Sequence, residues 1–526
     1  MQAQVEVSQG AATRTGAPYP TKFRLRHSRT KSGCLMCRRR KKKCDETRPH
    51  CSSCLKSKVP CEWPETTSAG VQDQRQAQTQ GYTPKSAQYG LSNRQNANPL
   101  TLVSPSFKYG NPAYDLTCDS SRLLQHYVTE TAAILATGTP IVNPFLTCVV
   151  PKACWDPTLM HIVLALSGAH LSYKLPSGDD ATRVEASMRK HYLQVIRSVQ
   201  NTIAVADFKN TDTISPLLLT LAFLCHYEVL AGSPTSALSM HLAALSQLFH
   251  RLSESHRAKA PSPNDPTDET VALSLEVLLY LAFSNVILPS HAFNSPNAVP
   301  DQVANSCCLL SQTLSSNGAI FAGCRGLFEL IPVAKSLHTW RLAEEQAGIG
   351  APGTEFEAAL DDLSGRISGW TLEGDEILQP PSEPTSVNHD RLVEHEQQAM
   401  AAECLRHGLH IYTLVAPLGS SPPSPSVRRS VESHVAAVVE LSERLEGLPA
   451  SSNTLWAIVV AGSCLEDEGW RRELAAGLVN SRFQMRHLSL IKVALEKLWE
   501  DDDPRAWGPH GLEFVMRKHG LSISIL

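Results

Sequence analysis

The first twenty residues, "MQAQVEVSQGAATRTGAPYP", lack the apolar stretch that opens an exported protein. Nothing there indicates export, so the cysteines are expected to stay reduced. Long apolar runs are missing as well. The most apolar one, "PLLLTLAFLCHYEVL" from Pro216 to Leu230, is shorter than a bilayer span and closes with His226 and Glu228. It predicts a buried helix and no membrane partner. No segment alternates apolar and polar residues with the two-residue period of a strand. Acidic residues are scarce in one place: between Lys22 and Lys58, two stand against fourteen Lys or Arg. That segment carries +12, while the other 34 basic and 49 acidic residues leave −15, a contrast hidden in the total of −3. A basic head on an acidic body predicts a polyanionic partner for the head.

At 526 residues the chain is long enough for more than one domain and a large core. Residues 65–115 are rich in Gln, Ser, Asn and Gly with few large apolar side chains, a composition that cannot offset the entropy of ordering. They are expected to form a flexible, disordered linker. They also lack heptads, so a coiled coil is not expected there. From Asp119 onward, apolar residues recur at three and four spacing. In "DPTLMHIVLALSGAHL", Asp156 can cap, Pro157 suits the first helical position, and Leu159, Ile162, Val163, Leu166 and Ala169 share a face. Further helices are expected near 181–203, 213–230, 234–251, 268–287, 320–346, 390–415, 427–446, 453–466 and 484–500. Polar, proline-bearing stretches at 259–269, 376–390 and 418–427 read as loops.

Cysteine is where the chemistry lies. Six of the fifteen, Cys34, Cys37, Cys44, Cys51, Cys54 and Cys61, have two, six, six, two and six residues between them. Each half reads C-x2-C-x6-C, and the second copy follows the first by seventeen residues. A C-x2-C pair can bind one metal ion from a single turn, and thiolate-only sets favour tetrahedral zinc. Two zinc ions need eight contacts from six sulfurs, so two sulfurs must bridge, and the duplication points to Cys34 and Cys51. Disulfides, a redox pair, or one four-cysteine site from Cys34, Cys37, Cys51 and Cys54 are the alternatives. The first conflicts with the inferred compartment, and no βαβ pattern accompanies either pair to support the second. The segment has so little apolar material that metal must supply its folding energy, on the order of 10 kcal/mol.

Residues 33–63 resemble the zinc binuclear cluster of fungal transcription factors, with every cysteine in place. The resemblance implies a small metal-stabilised two-helix domain over 31–64 that binds two Zn2+. One ion would be held by Cys34, Cys37, Cys44 and Cys51, the other by Cys51, Cys54, Cys61 and Cys34. Pro49 matches the loop proline between the halves.

Between Cys37 and Cys44 run Arg38, Arg39, Arg40, Lys41, Lys42 and Lys43, a span of about two helical turns anchored at both ends. Six like charges so held favour phosphate, and binding should weaken steeply with salt. By the resemblance, Lys41 contacts the guanines of a CGG-like triplet, Arg38 and Lys43 touch phosphate, and Arg40 is a further candidate. Lys42 departs from the aliphatic residue common at its position. Residues 1–30 read as a disordered basic arm.

The body, 116–526, resembles the fungal-specific regulatory domain that follows such clusters, through "HLAALSQLF" (241–249), "LWAIVVAGSCLED" (455–467) and "LEKLWEDDDPRAW" (495–507). That implies a large all-α regulatory domain. Enzyme motifs fail: "GIGAPG" (348–353) follows a helix and contains Pro352, and "HEQQA" from His395 lacks the second histidine of a zinc protease. The nine other cysteines lack ligand spacing. His161, His170 and His241 read as structural, and the acidic run Glu500–Asp503 as a solvated helix end. The expectation is a nuclear, sequence-specific, non-enzymatic regulator of RNA polymerase II transcription that binds double-stranded DNA. A homodimer or co-regulators are further expected partners, and the competing class is a zinc-dependent protein or RNA adaptor.

Overall fold

In the computed structural model the residues described are 34–40, 44, 45, 47, 50–57, 59, 61, 117–137, 143–205, 211–258, 269–285, 319–372 and 386–526. The chain divides into two compact units, Met1–Ser92 and Asn93–Leu526. In the first, two five-residue helices, α1 (Leu35–Arg39) and α2 (Ser52–Lys56), frame a core made largely of sulfur. Among the described residues of the second unit there are helices and turns but no strands.

The second unit begins with α3 (Cys118–His126), capped by Thr117, whose hydroxyl accepts from the Ser120 amide. Then come α4 (Pro157–Lys174), α5 (Asp179–Val205), α6 (Thr211–Ala231), α7 (Thr235–Ala258) and α8 (Glu269–Asn285). The start of α4 follows from local chemistry. Asp156 Oδ1 accepts from the amides of Thr158 at 2.8 Å and Leu159 at 3.1 Å, and Pro157 opens the helix. Helices α4, α6 and α8 are apolar on nearly every face and are packed all round, α6 lying against α4, α7 and α8. The stretch Ile214–Ala231 in α6 is long and apolar enough to cross a membrane, more than its length in the sequence suggested; here it is mostly buried within the protein. By contrast α5 is two-faced, burying Val184, Met188, Val195 and Val199 against α4.

The remainder comprises α9 (Leu330–Gln346), α10 (Thr354–Gly369), α11 (Ser386–Val415), α12 (Pro425–Leu445), α13 (Leu455–Gly462), α14 (Glu468–Asn480), α15 (Arg486–Trp499) and α16 (Gly508–His519). The final residues are pinned to α8: Asn285 donates its amide to the Ile525 carbonyl at 2.8 Å and accepts from the Ile525 amide at 2.7 Å. The helix expected over 320–346 is broken. Ala322 (φ 48°) and Gly323 (φ 78°) lie in the left-handed region, and only a short turn of helix, Arg325–Phe328, precedes α9. The helix expected over 453–466 starts as a 3-10 turn, Pro449–Thr454. Among the described helices of eight residues or more, α3, α10, α14 and α16 are not expected from the sequence. Of these, α14 buries only a narrow face, Ala475 and Leu478, whereas α16 buries seven of its twelve residues.

The Gly348–Gly353 segment is a helix exit. Gly348 sits at φ 83°, and the Arg341 guanidinium donates to the carbonyls of Ile349 at 3.1 Å and Gly350 at 2.7 Å, tying the loop back onto α9. The expected linker 65–115, the arm 1–30, Pro49, Lys42 and the adjacent Cys307 and Cys308 lie outside the described residues.

Candidate metal centre and nucleic-acid interface

The duplicated cysteine rhythm becomes a duplicated geometry. In each half the first cysteine caps the short helix with its sulfur: the Cys37 amide donates to Cys34 Sγ at 3.4 Å, and the Cys54 amide to Cys51 Sγ at 3.4 Å. In each half the third cysteine returns to the first. The Cys34 amide reaches Cys44 Sγ at 3.5 Å, and the Cys51 amide reaches Cys61 Sγ at 3.3 Å. The two C-x2-C turns face one another. Cys34 Sγ lies 3.8 Å from Cys51 Sγ and 3.7 Å from Cys54 Sγ, and Cys37 Sγ lies 3.5 Å and 3.8 Å from the same two atoms.

These spacings suit a metal. Ligands about 2.3 Å from a tetrahedral zinc are roughly 3.8 Å from each other. Cys34, Cys37, Cys51 and Cys54 form one group of converging donors, all buried, and Cys44, Asp45 and Cys51 form a second. The thiols do not ionise alike by themselves. Burial pushes Cys37 up to about 12, with the thiols of Cys51 and Cys34 adding to the effect; at Cys34 burial also raises the thiol, but the Cys37 amide and the neighbouring thiols together outweigh it and lower it. A divalent cation relieves this conflict by favouring thiolate at every ligand. The donor set therefore fits zinc.

Two polar contacts that sequence reasoning missed hold the halves together. The Asp45 carboxylate accepts from the Ser52 amide at 3.1 and 3.2 Å, capping α2, and the Ser52 hydroxyl, with that amide, holds Asp45 below the usual carboxylate range. The Arg40 guanidinium donates through Nη2 to Ser57 Oγ at 3.0 Å, joining the ends of α1 and α2. An acidic residue just ahead of a serine-led turn was the signal for the first. Nothing in the spacing foretold the second. Of the candidate DNA contacts, Arg40 is thus engaged within the cluster, Arg38 lies in α1 with its side chain outside the description, and Lys41 and Lys43 lie outside the described residues.

The other sequence leads resolve into structure. His161 Nδ1 pairs with His191 Nδ1 at 2.9 Å, His170 bonds His126, Thr131 and the Phe483 carbonyl, and His241 pairs with buried Glu228 at 3.2 Å. Three of the four residues of the acidic run are paired in place: Lys497 holds Glu500, Lys518 holds Asp501 and Arg505 holds Asp503. Its flanking rings are structural too, Trp499 donating to the Gly462 carbonyl and Trp507 to that of Cys464.

Among the described residues, the first unit is a sulfur-lined cluster whose donors fit zinc and the second is helical. Residues 32–69 match the fungal Zn(2)-Cys(6) binuclear cluster domain. The chain belongs to the fungal specific transcription factor domain family, whose model matches residues 122–525. Among curated relatives, it is 47% identical over 45 residues to transcription factor lfc1 of Flammulina velutipes, covering 9% of this chain and 16% of that protein. It is 30% identical over 180 residues to the Zn(2)-C6 fungal-type transcription factor afumD of Aspergillus fumigatus, covering 32% and 41%. To the aspercryptin cluster-specific regulator atnN of Emericella nidulans it is 26% identical over 234 residues, covering 44% and 36%. The chain thus spans less than half the length of each of these relatives. No solved structure matches.

Proposed function

We propose that this chain is a nuclear, sequence-specific regulator of RNA polymerase II transcription that reads CGG-like triplets in double-stranded DNA. The observation that carries the reading is the cage of four sulfurs spaced 3.5–3.8 Å apart at the foot of a six-residue basic run. Bound zinc would lock both ends of that run, Cys34, Cys37, Cys44 and Cys51 holding one ion and Cys51, Cys54, Cys61 and Cys34 the other. Lys41 would meet guanine edges, and Arg38 and Lys43 would clamp phosphate. Arg40 would reach phosphate by exchanging its bond to Ser57. The helical unit would regulate or recruit partners, including a second copy of the chain.

The test is a gel shift of the zinc-loaded chain on CGG-containing and scrambled duplexes in rising salt. Preference for CGG supports the reading; equal binding to both favours a zinc-dependent adaptor. Lys41→Ala should cost about 1–3 kcal/mol on the CGG duplex and blur its preference, whereas Lys43→Ala should weaken all duplexes alike and flatten the salt slope. Native mass spectrometry checks the metal count. Two zinc ions per chain support the shared-thiolate scheme, and one would leave the single cage of Cys34, Cys37, Cys51 and Cys54.

A further inference from the structure

The helical unit encloses a cavity of about 580 Å³, within the roughly 300–1,000 Å³ range of small-molecule sites. Its floor is buried and mainly apolar, with Leu135, Tyr280, Ile320, Leu488 and Leu526 each no more than 8% exposed. Its rim is exposed and carries Trp470, Glu443, Glu446 and Glu473. Protein interiors are packed nearly as densely as organic crystals, so a cavity of this size opening to solvent is a built feature of the fold.

Two properties of the wall select an occupant. The first is charge. Among the described residues Glu443, Glu446 and Glu473 form no ion pair, and Arg482, which also lines the cavity, is turned to backbone carbonyls. Its Nη1 donates to the Gly447 carbonyl at 3.0 Å and its Nη2 to the Leu448 carbonyl at 2.7 Å, with the guanidinium over the Phe483 ring. An entering anion would meet three carboxylates at the mouth. The second property is unmet hydrogen bonding. Asn453 belongs to the wall and is buried, and its Nδ2 has no hydrogen-bond partner among the described residues. A buried amide nitrogen is a donor, and the group it lacks is an acceptor oxygen.

We infer that this cavity binds an uncharged, mainly apolar small molecule carrying a carbonyl or hydroxyl oxygen, and that the regulatory unit is a receptor for such a ligand. The inference is independent of how the cysteine cluster meets DNA. It is tested on the full chain with two naphthalene dyes of similar size: prodan, which is uncharged and carries a carbonyl, and anilinonaphthalene sulfonate, which is anionic. Prodan should bind one per chain, with blue-shifted emission, at least about tenfold tighter than the sulfonate at low salt. Asn453→Leu should weaken prodan about fivefold. Gly477→Phe lies on the cavity wall, where an added Cβ meets nothing within 4 Å, and should lower prodan affinity about tenfold with helical circular dichroism unchanged. The double variant Glu443→Lys, Glu473→Lys changes only exposed side chains and should bring the two dyes within about threefold of each other. Equal or tighter binding of the sulfonate by the unaltered chain overturns the inference. So does prodan affinity that a folded Gly477→Phe leaves unchanged. If that variant does not fold, the lysine pair decides: an unaltered gap between the dyes sinks the site.

Discussion

His226 shows how a single residue couples burial to pH. It is 1% exposed, wedged against the rings of Phe145 and Phe223, and burial lowers its pKa to about 4. In the unfolded chain a histidine titrates near 6.5, so between those values the unfolded state binds more protons. Stability from this residue is therefore full above about pH 6.5 and is lost as pH falls toward 4. Between pH 7 and pH 5 the unaltered chain should lose roughly 2 kcal/mol more than His226→Phe, read from denaturant midpoints at the two values. Arg40 offers a second test. If its bond to Ser57 braces the cluster, Arg40→Ala and Ser57→Ala should each weaken zinc retention about threefold to tenfold in competition with a chelator, the range of a net hydrogen bond. No change in either variant would leave Arg40 free for DNA alone. The six cysteines were legible because ligand spacing is a local property of the chain. Arg40 reaches Ser57 across seventeen positions, a contact that exists only once both halves have folded around the sulfurs.

At the scale of elements, the limits of reading were set by which face each helix buries. The start of α4 is legible in Asp156 and Pro157, since a cap depends on residues within one turn. Less legible were α14, which buries only Ala475 and Leu478, and α16, whose partners come from elsewhere in the chain. Close approach between helices leaves a different mark. A Cβ added at Gly168 on α4 would lie 2.8 Å from Met188 Cβ and 3.3 Å from its Cα on α5, so the two backbones pack closer than any other residue allows. Gly168→Leu should destabilise the helical unit by about 1–3 kcal/mol, measured as a lowered denaturant midpoint. Gly365 on α10, where an added Cβ meets nothing within 4 Å, is the control: Gly365→Ala should leave the midpoint unchanged or raise it.

At the scale of the molecule, the two units rest on different physics. Among its described residues the first is organised by sulfur, with Met36 and Val59 as partly buried companions of the cysteines. The second buries a continuous set of side chains from Leu123 to Leu526. Metal removal should therefore separate them. Zinc chelation should abolish DNA binding and the ordered signals of the cluster in nuclear magnetic resonance, while the thermal midpoint of the helical unit moves by less than about 2 °C. A midpoint that falls in step with zinc loss would contradict this independence.

What the amino-acid order determined by itself was the chemistry: thiolate ligands two and six residues apart, basic charge threaded between them, and helical periodicity through the body. These are properties of neighbours along the chain, carried by spacing and charge. Tertiary structure decided which sulfurs converge, that Arg40 turns inward, that the acidic run at 500–503 is answered by Lys497, Arg505 and Lys518, and that a cavity opens beside Asn453. Each of these depends on side chains meeting across tens to hundreds of residues, which only packing brings about.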